Sequence, residues 1–229
     1  MAPMNATGTE HDVLRDGPTP GDALLVVDVQ RDFMPGGRLA VAGATRIVPR
    51  VNAVLQRFQA LDLPIYASRD WHPPGHASFT VSGGPWPPHC VMHSEGAAFA
   101  PGLRLPDGVG LVSKGCLPDR DTTSAFRGTD LHRRLAAGDV HRLVVVGLGT
   151  EGCVLQTVLD ARALDLRVIV LRDAVMARAA GEGERALERM RAAGAEVLAA
   201  ASWMHPARGS GSVTSANRSA LGHAAIWLD

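Results

Sequence analysis

The chain has 229 residues, with 23 basic and 23 acidic side chains that give a formal net charge of zero at pH 7. This balance argues against a nucleic-acid partner or a membrane-surface partner, because both favour strongly basic proteins. No stretch approaches the roughly 20 apolar residues of a membrane span, and the N-terminus lacks the apolar run of a signal peptide. Three cysteines cannot all pair, which fits a reduced, cytoplasmic setting.

Predicted strands and helices alternate along the chain. Short aliphatic stretches predict strands, and apolar residues repeated every three or four positions predict helices. In chain order these are strand 23–27, helix 45–61, strand 64–68, strand 110–113, helix 130–137, strand 143–146, helix 154–164, strand 167–171, helix 182–193 and strand 196–199. The alternation predicts an α/β fold: a doubly wound, mainly parallel sheet of six strands with helices on both faces.

Composition divides the chain into three segments. Residues 1–21 are polar, carry glycine and proline without periodicity, and are predicted to be a flexible N-terminal arm. Residues 22–203 contain every predicted strand and helix and are expected to form a single domain. Residues 204–229 are predicted to be a C-terminal tail, a glycine- and serine-rich linker with a short apolar end. The sequence leaves open whether the chain forms a homo-oligomer.

Cys153 follows a glycine-rich turn between the fourth predicted strand and the helix after it. Gly147, Gly149 and Gly152 permit a tight turn that brings backbone close to a ligand. Free backbone N–H groups and the positive end of a helix dipole would favour a thiolate here and could bind a developing oxyanion. The alternative is a buried structural cysteine, which is the commoner fate of a free thiol.

Chemically distinct side chains follow four neighbouring predicted strands. Asp28 ends the first, Asp70 and His72 follow the second, Lys114 ends the third and Cys153 follows the fourth. Ligands bind beyond the carboxyl ends of the strands in sheets of this kind. Each residue alone could be incidental, as a turn aspartate or a solvated lysine, but their joint placement predicts an active site.

A metal site is predicted beside the second strand. Asp70 and His72 lie two residues apart in an extended segment, and His76 and His89 follow in the Pro- and Gly-rich loop 73–106. Carboxylate and imidazole donors of this kind can hold a divalent metal with open positions. The alternative is a polar loop whose histidines only meet solvent.

Five stretches resemble the motifs of the isochorismatase-like cysteine hydrolases, and several of them resemble the nicotinamidase/pyrazinamidase branch in particular. The resemblance covers about residues 22–203. The matching stretches are 26–33 (V-V-D-V-Q-R-D-F), 70–79 (D-W-H-P-P-G-H-A-S-F), 86–91 (W-P-P-H-C-V), 114–115 with 124–126 (K-G and S-A-F), and 147–154 (G-L-G-T-E-G-C-V).

The resemblance implies roles for the residues at strand ends. It implies a catalytic triad and one divalent metal, Zn, Fe or Mn. The implied triad is Asp28, Lys114 and Cys153, and the implied metal ligands are Asp70, His72 and His89, with His76 a ligand in some members only. The family's oxyanion hole maps to the backbone N–H groups of Gly149 and Cys153, with a cis peptide at Leu148–Gly149.

The resemblance also implies the substrate, a small-molecule amide. Phe33 and Trp86 match the residues that sandwich a pyridine ring, which implies hydrolysis of nicotinamide to nicotinate and ammonia. Two positions depart from the family: Gly152 replaces a bulky residue and Thr123 replaces an aromatic one. Two alternatives therefore stay open, a hydrolase of a larger amide or lactam similar to streptothricin hydrolases, and a non-catalytic ligand-binding module.

Overall fold

The computed structural model describes residues 17–179 and 181–204, so most of the predicted arm and tail lies outside the described residues. Six strands form one sheet with the order β3-β2-β1-β4-β5-β6, and every neighbouring pair is parallel. The strands are β1 (Asp22–Val27), β2 (Ile65–Asp70), β3 (Gly110–Lys114), β4 (Arg142–Leu148), β5 (Arg167–Met176) and β6 (Glu196–Leu198). The prediction of six strands is confirmed, and the sheet is wholly rather than mainly parallel.

Helices cover both faces of the sheet, as predicted. They are α1 (Val48–Ala60), α2 (Leu131–Ala137), α3 (Leu155–Ala163), α4 (Glu182–Ala192) and α5 (Ala200–Met204). Helix α5 was not predicted, because five residues are too few to reveal a helical period. Within the described part of the chain, no helix is both long enough and apolar enough to cross a membrane.

The buried side chains of β1 alternate between two hydrophobic cores. Leu24 and Val26 belong to the core that includes residues of α1 and α5. Ala23, Leu25 and Val27 belong to the core that includes residues of α2, α3 and α4. Because successive strand residues point to opposite faces, one continuous apolar strand supplies both cores.

The order in which strands are added to the sheet reverses between β1 and β4. Strands β2 and β3 extend the sheet on one side of β1, and β5 and β6 extend it on the other side of β4. A crevice forms at the carboxyl ends of two strands that diverge in this way. Asp28 directly follows β1 and Cys153 lies just beyond β4, so the crevice is where the predicted active-site residues meet.

Gly147 allows β1 and β4 to approach at this edge. A Cβ on Gly147 would lie 2.1 Å from the carbonyl oxygen of Val27, and the residue has φ +133°. The register between β4 and β5 shifts in the same place, between Val145 and Gly147. A larger residue at position 147 would force β1 and β4 apart at the edge of the sheet where the predicted triad converges.

Candidate active site

The predicted triad converges on one ammonium group. Lys114 Nζ lies 2.9 Å from Asp28 Oδ2 and 3.5 Å from Cys153 Sγ. The same ammonium donates a hydrogen bond to Asp70, one of the predicted metal ligands. Lys114 and Asp28 are each 1% exposed, so these charges interact in a site closed to bulk water. Strands β1, β2 and β3 and the turn after β4 therefore bring together the residues predicted from the sequence.

Asp28 has one oxygen that is held and one that is available. Its Oδ1 accepts a hydrogen bond of 2.7 Å from the Ser68 hydroxyl. Its Oδ2 is close to Lys114 Nζ, but no described donor makes an aligned hydrogen bond to it. The residue adopts a left-handed backbone conformation with φ 49°, which aspartate tolerates better than most residues. Oδ2 is thus the oxygen that can accept a proton.

Burial and neighbouring charges act in opposite senses on the pKa values of the triad. It raises the pKa of the Cys153 thiol well above its usual value, an effect that the nearby Lys114 charge only partly offsets. Burial also raises the pKa of Asp28, again against the opposing charge of Lys114. Burial works to lower the pKa of Lys114, but the two adjacent carboxylates outweigh it and raise that pKa. Burial thus favours the neutral thiol of Cys153 and opposes the thiolate that a helix start alone would favour.

The turn that carries Cys153 also weakens the expected effect of the helix dipole on its thiol. Residues Thr150–Val154 form a π-helical turn, and α3 begins only at Leu155. Cys153 therefore lies inside a helical turn rather than before the first residue of a helix. The dipole of α3 therefore acts on Cys153 less directly than the sequence indicates, and burial opposes the thiolate.

The predicted metal ligands Asp70, His72 and His89 are also brought together. One ligand atom from each lies within 4.8 Å of the others. His72 Nδ1 lies 3.1 Å from the carbonyl oxygen of Gly115, and His89 Nδ1 lies 2.8 Å from that of Pro87. A neutral imidazole that donates from Nδ1 presents Nε2 as a ligand. These donors fit a divalent metal, because carbonyls already fix the tautomer that ligation needs.

His76, the fourth candidate ligand, does not join this cluster. Its Nδ1 lies 2.7 Å from the Ser78 hydroxyl and its Nε2 lies 3.2 Å from the carbonyl oxygen of Arg120. Its ring packs against His72 with 4.2 Å between the ring centroids. Both nitrogens are engaged, so His76 supports the orientation of His72 instead of offering a free ligand atom.

A cavity of about 140 Å³ opens onto the triad and the cluster. The residues predicted to bind substrate, Phe33, Trp86, Thr123 and Gly152, all line it. It is also lined by these other predicted site residues: Asp28, Asp70, His72, His89, Gly149 and Cys153. Lys114 lies behind this lining, with only 1% of its surface exposed.

The predicted oxyanion hole differs from the sequence-based expectation. The peptide Leu148–Gly149 is trans, and Gly149 adopts a left-handed conformation with φ 73°. Its N–H donates a 3.0 Å hydrogen bond to the carbonyl oxygen of Met176, which continues the pairing of β4 with β5. The cis peptide is therefore wrong for this structure, and the Gly149 donor is already engaged. Cys153 stays the predicted backbone donor.

Sequence reasoning missed the residues that hold the ligands in place. The Gln30 side chain donates to the carbonyl oxygen of Asp70 at 2.8 Å and accepts from its N–H at 2.8 Å. Asp32 accepts a 2.7 Å hydrogen bond from the N–H of Cys90, the residue after His89. Both lie in the stretch 26–33, where their polar side chains in an apolar setting were the available signal.

A family model described as the isochorismatase domain matches residues 22–202. The nicotinamidase of Escherichia coli strain K12 is 35% identical over 207 residues, covering 80% of this chain and 97% of that protein. A pyrazinamidase of Pyrococcus horikoshii in complex with zinc is similar in structure, with a TM-score of 0.77, 44% identity, and coverage of 79% of this chain and 99% of that one. PnC1 from L. infantum, in complex with nicotinate, has a TM-score of 0.77 and 32% identity over 82% of this chain and 96% of its own. The chain therefore belongs to the isochorismatase family, in its nicotinamidase/pyrazinamidase branch.

Proposed function

We propose that this protein hydrolyses nicotinamide, or a closely related aromatic carboxamide, to the acid and ammonia through a thioester on Cys153. The observation that carries the proposal is the position of Lys114 Nζ, 2.9 Å from Asp28 Oδ2 and 3.5 Å from Cys153 Sγ, at the base of one cavity. The relatives named as nicotinamidases and the bound nicotinate of the L. infantum protein support the choice of a pyridine amide.

Acylation begins with the neutral thiol. Asp28 Oδ2 takes the thiol proton while Sγ forms a bond to the carboxamide carbon. Lys114 stays protonated and balances the negative charge on the carboxylate and the sulfur. The backbone N–H of Cys153 donates to the oxyanion. The carbon–nitrogen bond then breaks, and the proton held by Asp28 passes to the leaving nitrogen, which departs as ammonia.

Deacylation uses the same residues, with a water molecule as the attacking group and Cys153 as the leaving group. A water molecule attacks the thioester carbon and gives its proton to Asp28, which has become a carboxylate again. The carbon–sulfur bond breaks, the acid leaves, and the proton returns from Asp28 to Sγ. Because Oδ2 has no other aligned donor among the described residues, it is free to accept the proton in both half-reactions.

The ring of the substrate would lie between Phe33 and Trp86. Both side chains line the cavity, and Phe33 also lies beside His89 with 5.9 Å between ring centroids. Aromatic faces offer a planar heterocycle a large contact area at low entropic cost. This placement would direct the carboxamide toward Cys153 and the ring nitrogen toward the histidines.

Asp70, His72 and His89 would hold one divalent metal. Such an ion, when bound, is a Lewis acid that attracts a ring nitrogen or polarises water. Zinc is supported by the P. horikoshii relative, and iron or manganese suits a mixed carboxylate and imidazole set equally well. The ammonium of Lys114 beside Asp70 keeps that carboxylate ionised, because it offsets the burial that would raise the pKa of Asp70.

Ammonia release from nicotinamide tests the proposal directly. Cys153→Ala should lower the rate by more than about 10³-fold, as expected for a lost nucleophile. Cys116→Ser changes an exposed cysteine and should keep the wild-type rate. Intact-mass trapping should find the acyl adduct on Cys153 alone. Turnover near the wild-type rate in Cys153→Ala, or no release of ammonia by the metal-loaded wild type, would contradict the proposal.

A larger amide is the second candidate substrate, and one observation favours it. A Cβ built on Gly152 would meet nothing within 4 Å, so the cavity is open beside the nucleophile. A ring-substituted carboxamide could extend through this opening without disturbing the triad. Measuring kcat/KM for nicotinamide and for a bulky analogue in parallel separates the two candidates.

A further inference from the structure

Arg178 separates the active-site cavity from a neighbouring groove. It follows the carboxyl end of β5 and lines both spaces. The groove has a volume of about 460 Å³ and also touches Arg46, Arg172 and Glu184. A ligand that extends from the cavity into the groove would therefore meet Arg178.

The contacts of Arg178 fix its base and leave its tip available. Its guanidinium carbon lies 4.4 Å from the centroid of the Trp86 ring, the predicted wall for the substrate ring. The Glu151 carboxylate accepts from the backbone N–H of Arg178 at 3.0 Å and lies 3.4 Å from its Nε. Its terminal nitrogens make no hydrogen bond to any described residue, so they can donate to a ligand.

Gly152 and Arg178 both line the cavity. A bulky residue at position 152 would stand beside the nucleophile, but here the space is empty to at least 4 Å from an added Cβ. Among the described residues that line the cavity, Arg178 carries the permanent positive charge. Arg178 is therefore a group of the cavity wall that can recognise a negatively charged substituent.

The groove beyond Arg178 also favours a negatively charged ligand. Arg46 and Arg172 line it and, within the described parts of the chain, neither has an acidic partner within 4 Å. The acid that lines it, Glu184, lies 3.2 Å from Arg191 and is thereby compensated. The groove thus has a surplus of positive charge, while Glu151 contacts the base of Arg178 and Asp121 lines the cavity.

We propose that Arg178 is a specificity-determining residue that selects aromatic amides whose ring carries an acidic substituent. The ring would lie against Trp86, and its carboxylate would leave the cavity past Gly152 and accept hydrogen bonds from the Arg178 guanidinium. Guanidinium and carboxylate match as a planar, bidentate pair. Arg46 and Arg172 would add attraction from the groove. This inference rests on the proposed hydrolysis of an aromatic amide at Cys153.

The test compares three amides with the full-length, metal-loaded protein. They are nicotinamide, a carboxylate-substituted nicotinamide and the methyl-substituted nicotinamide with the same ring position. Arg178→Met keeps the length and apolar contact of the side chain but removes its charge. It should lower kcat/KM for the carboxylated amide roughly 10- to 100-fold more than for the methylated one. Arg178→Lys should restore part of this difference, and added salt should reduce it in wild type.

A matched control and a binding measurement isolate the charge effect. Arg57→Met removes an exposed arginine of α1, away from both spaces, and should leave all three rates unchanged. In a Cys153→Ala background, calorimetry should find tighter binding of the carboxylated amide than of the methylated one. Arg178→Met in that background should abolish the difference.

The two proposals fail in different ways. If the wild type releases no ammonia from any of the amides, the proposed hydrolysis fails, and the calorimetric comparison still decides the role of Arg178. If nicotinamide is hydrolysed but Arg178→Met lowers the three rates by one common factor, or changes none of them, the selection of acidic substituents is overturned. A wild type that binds the methylated amide more tightly would overturn it as well.

Discussion

The two sides of the active-site cavity differ in how deeply their residues are buried and in how many hydrogen bonds hold them. On the triad and metal side, Lys114, Asp70, His72 and His89 are buried, and each has a hydrogen-bond partner within the fold. On the opposite side stand Gly152, which has no side chain, and Arg178, whose side chain is 36% exposed. The fold thus holds the triad and metal side through buried hydrogen bonds, whereas the opposite side is open at Gly152 and partly exposed at Arg178.

Removing a ligand from the buried side should have the largest effect. His72→Ala takes away one of three donors that lie within 4.8 Å of one another. We expect its metal content to fall below about a tenth of an equivalent, against about one in the wild type, and activity to fall with it. Elemental analysis of protein purified without chelator measures this. His93→Ala, in the same loop but outside the cluster, should keep its metal.

Loosening the buried side without touching a donor atom should have a smaller effect. Gln30 is fully buried and bonds both the N–H and the carbonyl oxygen of Asp70, so Gln30→Ala should let Asp70 move. Loss of such a supporting contact typically costs about 10- to 100-fold in metal affinity. Competition with a chelator measures the affinity, and Gln56→Ala, on the exposed face of α1, is the control. Equal affinity in both variants would mean that Asp70 is held by Lys114 alone.

The sequence predicted the buried side well because its signals are local. Asp28, Lys114 and Cys153 each lie at or just beyond the end of a strand that is recognisable from its apolar residues, and parallel strands place such ends at one edge. The geometry of turns was harder to predict. The π-helical turn at Thr150–Val154 and the bond from Gly149 to Met176 depend on how β4 pairs with β5, which periodicity does not report.

The open side could not be predicted in the same way. Gly152 and Thr123 are smaller than the residues expected at their positions, which predicts a wider cavity. Nothing in the sequence indicates which other side chain lines that space. Arg178 lies beyond the end of β5, whereas Trp86 lies in the loop between β2 and β3, and the two meet only in the folded chain. Contacts between distant loops require the three-dimensional structure.

A change behind the triad should shift the pH dependence and leave the maximum rate nearly intact. The Ser68 hydroxyl donates to Asp28 and holds the pKa of Asp28 down against the burial that raises it. In Ser68→Ala the pKa of Asp28 should therefore rise further. Since Asp28 must be ionised to accept the thiol proton, the acid limb of kcat/KM should move to higher pH, with little change on the plateau.

The control for this shift is Ser113→Ala, because the Ser113 hydroxyl bonds Arg69 and not a triad carboxylate. Its acid limb should coincide with that of the wild type. An acid limb that moves to lower pH in Ser68→Ala would mean that the limb reports a group other than Asp28. A limb that stays in place would show that a neighbouring donor replaces the serine.

The smallest effect is expected where the open side is filled. Gly152→Tyr introduces a ring next to the nucleophile, and the first added carbon meets nothing within 4 Å. A ring contact with the substrate is worth roughly 0.5–1.5 kcal/mol, which corresponds to about a two- to twelvefold lower KM for nicotinamide. The same ring should exclude bulky amides and occupy the space through which Arg178 meets the cavity. Steady-state kinetics with nicotinamide and a bulky analogue measures both effects.

Gly152→Ala distinguishes the ring from the backbone in this last comparison. It adds only the Cβ, so it should bind both substrates as the wild type does, while any stiffening of the turn would appear in both variants. If the wild type already rejects the bulky analogue as firmly as Gly152→Tyr does, the opening at Gly152 is not used. In that case the contact of Arg178 with Trp86 would close the cavity on the side of Gly152.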